Sequence, residues 1–153
     1  MIPRYTRQEM GQVWSDANKF AKWLEVELAA TETLAEAGQV PKDAAAAIRS
    51  RAKVDVARIH ELEARVKHDV IAFTMDVGES IADPAAARWL HYGMTSNDVV
   101  DTAQSLLVRD ASHIIERDLV IFGEVLDVRA HEFRHTPRSD APTAFTPSPS
   151  LSA

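Results

Sequence analysis

From about Asn97 to Arg134 the chain contains no proline and a single glycine, Gly123. Through this stretch Val100, Ala103, Leu107, Ala111, Ile115, Leu119, Phe122, Leu126 and Ala130 follow one another at spacings of three and four. That repeat places apolar side chains along one face of a helix, so one continuous helix is predicted. At a rise of 1.5 Å per residue, ~38 residues span roughly 57 Å, longer than a domain of this size is wide. The residues before it cannot bury so long a stripe. The expectation is that it packs against helices outside this sequence or against other chains.

The rest of the chain favours helix too. Glycine is scarce, Ala, Leu, Glu and Arg are common, and no useful segment alternates with period two. An all-α fold without a sheet is expected. Thr6 is placed as the cap of a short helix over 7–13, and Ser15 as the cap of a long one reaching about Ala37. Gly38 then stands at the position of a C-terminal cap, and Pro41 at the permitted first turn of the next helix. Helices follow over 42–53 and over 56–66, the latter capped by Asp55. Another runs to about Ile81, and a short one begins at Pro84 after Asp83. In domain terms, 1–93 reads as an N-terminal helical domain and 94–137 as the start of a helical bundle. The acidic faces around 25–36 and 55–64 read as solvated helix surface.

A formal net charge of -6 argues against a nucleic-acid partner, since phosphate binding draws on clustered Lys and Arg. With no cysteine, a disulfide scaffold and a thiolate metal site are excluded. No apolar run approaches the roughly 18 residues of a membrane helix, and the start has no signal-peptide core. A soluble, cytoplasmic protein without a membrane partner is expected. The histidines do not compose a metal set: His131 and His135 have ligand spacing, but no third ligand completes them.

Three polar islands lie at helix boundaries: Arg4-Tyr5, Lys67-His68-Asp69 and Gly93-Met94-Thr95-Ser96-Asn97-Asp98. Each has an ordinary explanation. The first could tack down a terminus, the second could be a helix stop followed by an Asp cap, and the third could be capping before the long helix. Their chemistry also suits an anionic ligand. Arg4, Lys67, Thr95 and Ser96 supply a guanidinium, an ammonium and hydroxyls, which bind phosphates and carboxylates. His68 adds an imidazole, the side-chain type suited to giving and taking a proton.

The run from Tyr92 to Ala103, with the pattern G-x-T-S-x-D-x-x-D-T-A, resembles the first conserved region of the fumarase/aspartase superfamily. The opening Ile2-Pro3-Arg4-Tyr5-Thr6 with Met10 and Trp14 resembles the adenylosuccinate lyase family within it. Lys67-His68-Asp69-Val70 with Phe73, and Ala130-His131 through Pro137, match further motifs of that family. The resemblance covers residues 1–137. It implies a homotetramer around a central bundle of long helices, each active site drawing on three subunits. It implies elimination of fumarate from adenylosuccinate to give AMP, and from SAICAR to give AICAR, with no metal and no cofactor. Carried over by position, Arg4 and Tyr5 bind the nucleotide, while Lys67, His68 and Asp69 line the site. His68 lies near the phosphate and assists the acid, and Thr95 and Ser96 hold the succinyl carboxylates. A carboxymuconate cycloisomerase is the alternative within the superfamily. Outside it, the alternative is a non-catalytic helical interaction module.

After Pro137 the sequence leaves the family. The family continues with a segment like I-G-R-T-H-G-x-H-A-E-P, whose first histidine is its general acid, whereas residues 138–153 are rich in Pro and Ser. Neither that acid nor the loop with the serine base has a counterpart here, so this chain alone is expected to be inactive. The tail nevertheless hides the missing segment. With permitted codons for Arg138 onward, skipping two bases gives I-G-R-T-H-G-I-H-A-E-P-I-T-F-G. The middle base of each shifted codon is the first base of a codon actually used, and the residue present largely dictates it. The tail is therefore expected to be a frameshift product without ordered structure.

Overall fold

A computed structural model of the chain describes residues 2–137; the expectation for 138–153 lies outside the described residues. Those described are helical, with no strand among them. After a 3-10 turn at Pro3–Tyr5 come α1 (Gln8–Val13), α2 (Asp16–Glu36), α3 (Lys42–Arg51), α4 (Val56–Val66), α5 (Asp69–Ile81), α6 (Pro84–Ala87) and α7 (Ser96–Phe133). By compactness, Met1–Ile115 forms one unit, and α7 from Glu116 onward belongs to a second.

Most boundaries follow from local chemistry. The Ser15 hydroxyl accepts from Asn18 N–H at 3.2 Å. The Asp55 carboxylate accepts from the N–H groups of Ala57 and Arg58, and Asp83 does the same for Ala85 and Ala86. Each satisfies donors that a helix start leaves without an internal partner. Gly38 takes φ +75° just after α2, the left-handed conformation that ends a helix at little cost to glycine. Two caps differ from expectation. Arg7, not Thr6, precedes α1, because the 3-10 turn draws the Thr6 hydroxyl back to donate to the Ile2 carbonyl at 2.9 Å. His68, not Asp69, caps α5.

In the first unit, Phe20 and Trp23 of α2 meet Phe73 of α5, with ring centroids 6.2 Å and 5.4 Å from it. Ile48, Ile59, Leu62, Val77 and Ile81 close around them, all buried. The start of α7 joins this core through Val99 and Ala103. Lys22 of α2 and Asp110 of α7 add a 3.1 Å ion pair. The apolar stripe of α7 divides along its length. Val99, Ala103, Leu107 and Ala111 are buried, whereas Ile115, Leu119, Phe122 and Leu126 are more than half exposed. The helix runs on through Gly123 without a break.

The acidic face of α2 corrects the reading of 25–36 as solvated surface: Glu27 has no exposed area. It falls on the same side as Phe20, Trp23 and Thr31, because positions four and seven apart share a face.

Candidate functional site

Arg4 and Tyr5 lie in the opening turn, closed by the Tyr5 N–H donating to the Ile2 carbonyl at 3.0 Å. The Arg4 guanidinium stacks over the Tyr5 ring at 4.8 Å, and the Tyr5 side chain is largely exposed. A cation and an aromatic face are thus presented together to solvent, a pairing that suits a nucleotide's phosphate and base.

Lys67, His68 and Asp69 form the corner between α4 and α5. Lys67 adopts the left-handed conformation (φ 59°, ψ 31°), and its N–H donates to the Glu63 carbonyl at 2.8 Å. That conformation ends α4 and turns the chain into α5. His68 Nδ1 accepts from the Ile71 N–H at 3.4 Å and stands 3.5 Å from Asp69 Oδ1. The two contacts exclude each other chemically. An unprotonated Nδ1 caps the helix, and a protonated one pairs with Asp69. All three side chains are exposed.

Thr95 immediately precedes α7. Asp98, at the third helical position, reaches back and accepts from both the Thr95 N–H at 2.7 Å and the Thr95 hydroxyl at 2.9 Å. This is the side chain-to-backbone half of a capping box. The two Thr95 donors hold the Asp98 carboxyl below its ordinary range, with a smaller contribution from the charge of His91. The Thr95 hydroxyl is thus engaged, whereas no hydrogen bond occupies the half-buried Ser96 hydroxyl among the described residues. Ser96 is the readier donor to an incoming carboxylate.

Among the described residues, no hydrogen bond or ion pair joins one of these patches to another. An apolar groove between α2 and the start of α7, lined by Val26, Ala30, Leu34, Met94 and Leu106, contains none of the seven candidates. No three His, Asp or Glu side chains among the described residues gather in the manner of a metal site.

Sequence reasoning missed one pair beside the third patch. Glu27 Oε1 lies 2.6 Å from His91 Nδ1, and Glu27 Oε2 accepts from the His91 backbone N–H at 2.9 Å. Burial pushes the Glu27 carboxyl up, and its hydrogen bond with His91 opposes that rise. The signal available in the sequence was a carboxylate standing on the apolar face of α2, where a charge needs a partner.

The family model described as lyase matches residues 4–139. An adenylosuccinate lyase from Staphylococcus saprophyticus is 45% identical over 136 residues, covering 89% of this chain and 31% of that protein. The chain thus spans about a third of the length of this curated relative. Two solved structures share the fold. One is the beta-carboxy-cis,cis-muconate cycloisomerase of Acinetobacter calcoaceticus, with 28% identity, TM-score 0.78, and coverage of 84% of this chain and 32% of that one. The other is the 3-carboxy-cis,cis-muconate lactonizing enzyme of Pseudomonas putida, with 32% identity, TM-score 0.76, and coverage of 82% and 30%.

Proposed function

The chain belongs to the lyase family, and on that premise we propose that it carries about a third of an adenylosuccinate lyase, which releases fumarate from adenylosuccinate and from SAICAR. The observation behind this is 45% identity with the staphylococcal enzyme over 136 residues, 89% of this chain. In this reading Arg4 and Tyr5 hold the nucleotide. Lys67 and Asp69 line the site, and His68 faces the phosphate and assists the acid. Ser96, with Thr95 once its hydroxyl leaves Asp98, holds the succinyl carboxylates.

The chemistry removes a proton beside a carboxylate, gathers charge on that carboxylate, and protonates the departing nitrogen. Lys67 and the donors at the start of α7 stabilise negative charge, which is where such sites gain most of their rate. The principal acid and base have no counterpart in these 153 residues, so turnover requires chain outside this sequence. Residues 1–93 act as the N-terminal domain and 94–137 open the central bundle. The exposed apolar face of α7 beyond Ile115 supports assembly into a homotetramer.

The test is a chimera in which residues 1–137 replace the corresponding part of the staphylococcal relative. Fumarate release from adenylosuccinate and from SAICAR is the expected result. A folded, assembled chimera that turns over neither substrate overturns the proposal. Turnover of carboxymuconate instead selects the cycloisomerase reading, for which the two structural neighbours, at 28% and 32% identity, are weaker support than the 45% identity to the staphylococcal lyase.

A further inference from the structure

The turn from His91 to Thr95 includes a non-glycine residue in the left-handed region. His91 has φ 62° and Gly93 φ 75°, so two residues in three are left-handed. Glycine adopts that region freely, but histidine does so at some cost. The turn must be held by something, and the hold comes from α2. The Glu27 carboxylate accepts the His91 backbone N–H with one oxygen, and the other lies 2.6 Å from the ring Nδ1. The carboxylate has no exposed area, while the imidazole is a quarter exposed. A contact of this length between two acceptors needs one proton between them. An ionised Glu27 places that proton on Nδ1 and leaves the neutral ring's Nε2 as an acceptor.

We propose that Glu27 is a positioning residue for the substrate-binding corner at the start of α7, gripping both the backbone and the ring of His91. Thr95 and Ser96 then meet the ligand's carboxylates in one conformation, and His91 shows a single tautomer. The inference rests on the lyase reading for its catalytic consequence and on the geometry alone for the grip.

Two measurements separate these. In the 153-residue chain, nitrogen–proton correlation of the histidine rings should show His91 protonated on Nδ1 when neutral. Glu27→Gln should return it to the ordinary mixture, in which Nε2–H predominates. An Nε2–H ring in the unsubstituted chain, or ring signals unmoved by Glu27→Gln, overturns the grip without relying on the variant alone. In the chimera, Glu27→Gln should lower kcat by roughly tenfold to a hundredfold while the assembly persists, the scale expected when reacting groups are displaced by about 1 Å. An unchanged kcat in an intact assembly overturns the positioning role. If the unsubstituted chimera is itself inactive, the lyase reading fails, and the ring measurement still decides the grip.

Discussion

Glu27, at the middle of α2, and His91, in the turn before α7, are joined at two points, 2.6 Å ring to carboxylate and 2.9 Å backbone to carboxylate. Sixty-four residues separate them in the chain, and the pair fixes the approach to the long helix. The burial of Glu27 also makes stability depend on pH.

Glu27 and Asp110 should respond to pH with opposite signs. The Glu27 carboxyl is raised above 4.5, chiefly by burial, so the folded state takes up its proton more readily than the unfolded one. Its contribution is complete below 4.5 and is lost as pH rises through the raised folded value. The Asp110 carboxyl is lowered below 3.8, first by its hydrogen bond with Lys22. Its contribution is present above 3.8 and is lost as pH falls through the lowered value. Urea unfolding across this range should show the advantage of the native chain over Glu27→Gln shrinking upward in pH. The advantage over Asp110→Asn should shrink downward. Parallel curves for the two variants contradict the assignment.

Phe73→Ala should unfold the first unit or nearly so. The ring is fully buried and packs against both Phe20 and Trp23. Truncating such a residue costs about 3–5 kcal/mol, against about 5–15 kcal/mol for a whole domain. The midpoint of chemical unfolding, followed by tryptophan emission, reads this directly. A loss below about 1 kcal/mol contradicts the packing described.

The distal part of α7 should make the isolated chain self-associate. Leu119, Phe122 and Leu126 are each more than half exposed, and contiguous apolar surface of this kind drives association. Sedimentation should find oligomers whose mass falls when these three residues are replaced together by Glu. A monodisperse monomer before substitution counts against the idea.

Lys67→Ala and Ser96→Ala should each cut turnover of the chimera by at least about tenfold, since each removes a donor to a charged ligand group worth about 1.5–3 kcal/mol. Thr95→Val should be milder than Ser96→Ala, because Asp98 already occupies the Thr95 hydroxyl. Full activity in both Lys67→Ala and Ser96→Ala removes them from the site.

The gene itself tests the tail. The family match ends at residue 139, where the Pro- and Ser-rich sequence has just begun. Nucleotides after the Pro137 codon should encode the T-H-G-x-H segment in a shifted frame. Any other reading refutes the frameshift.

Much of the helix pattern could be read locally. The caps at Ser15, Asp55 and Asp83, the stop at Gly38 and the continuity of α7 depend on residues within about four positions of one another, the reach of helical neighbours. The two misplaced caps show where that reach ends. Thr6 was diverted by a turn formed with Ile2. At α5, Asp69 bonds the adjacent Val70 N–H, leaving His68 to cap the helix. The seven candidate site residues were found through motifs, and the motifs carry no information about what each side chain touches. Hence the engaged Thr95 and the unoccupied Ser96 looked equivalent in sequence.

What the sequence alone determined is therefore the set of helices and the apolar face of each, because periodicity and capping are properties of a few successive residues. Tertiary structure decided which part of the α7 stripe is covered, since Ala103 and Leu107 are buried while Leu119 and Phe122 are more than half exposed. It also decided that an acid on the inner face of α2 is neither solvated nor unpaired. A buried carboxylate must find a donor, and whether that donor is water or His91 depends on the path of the chain between them.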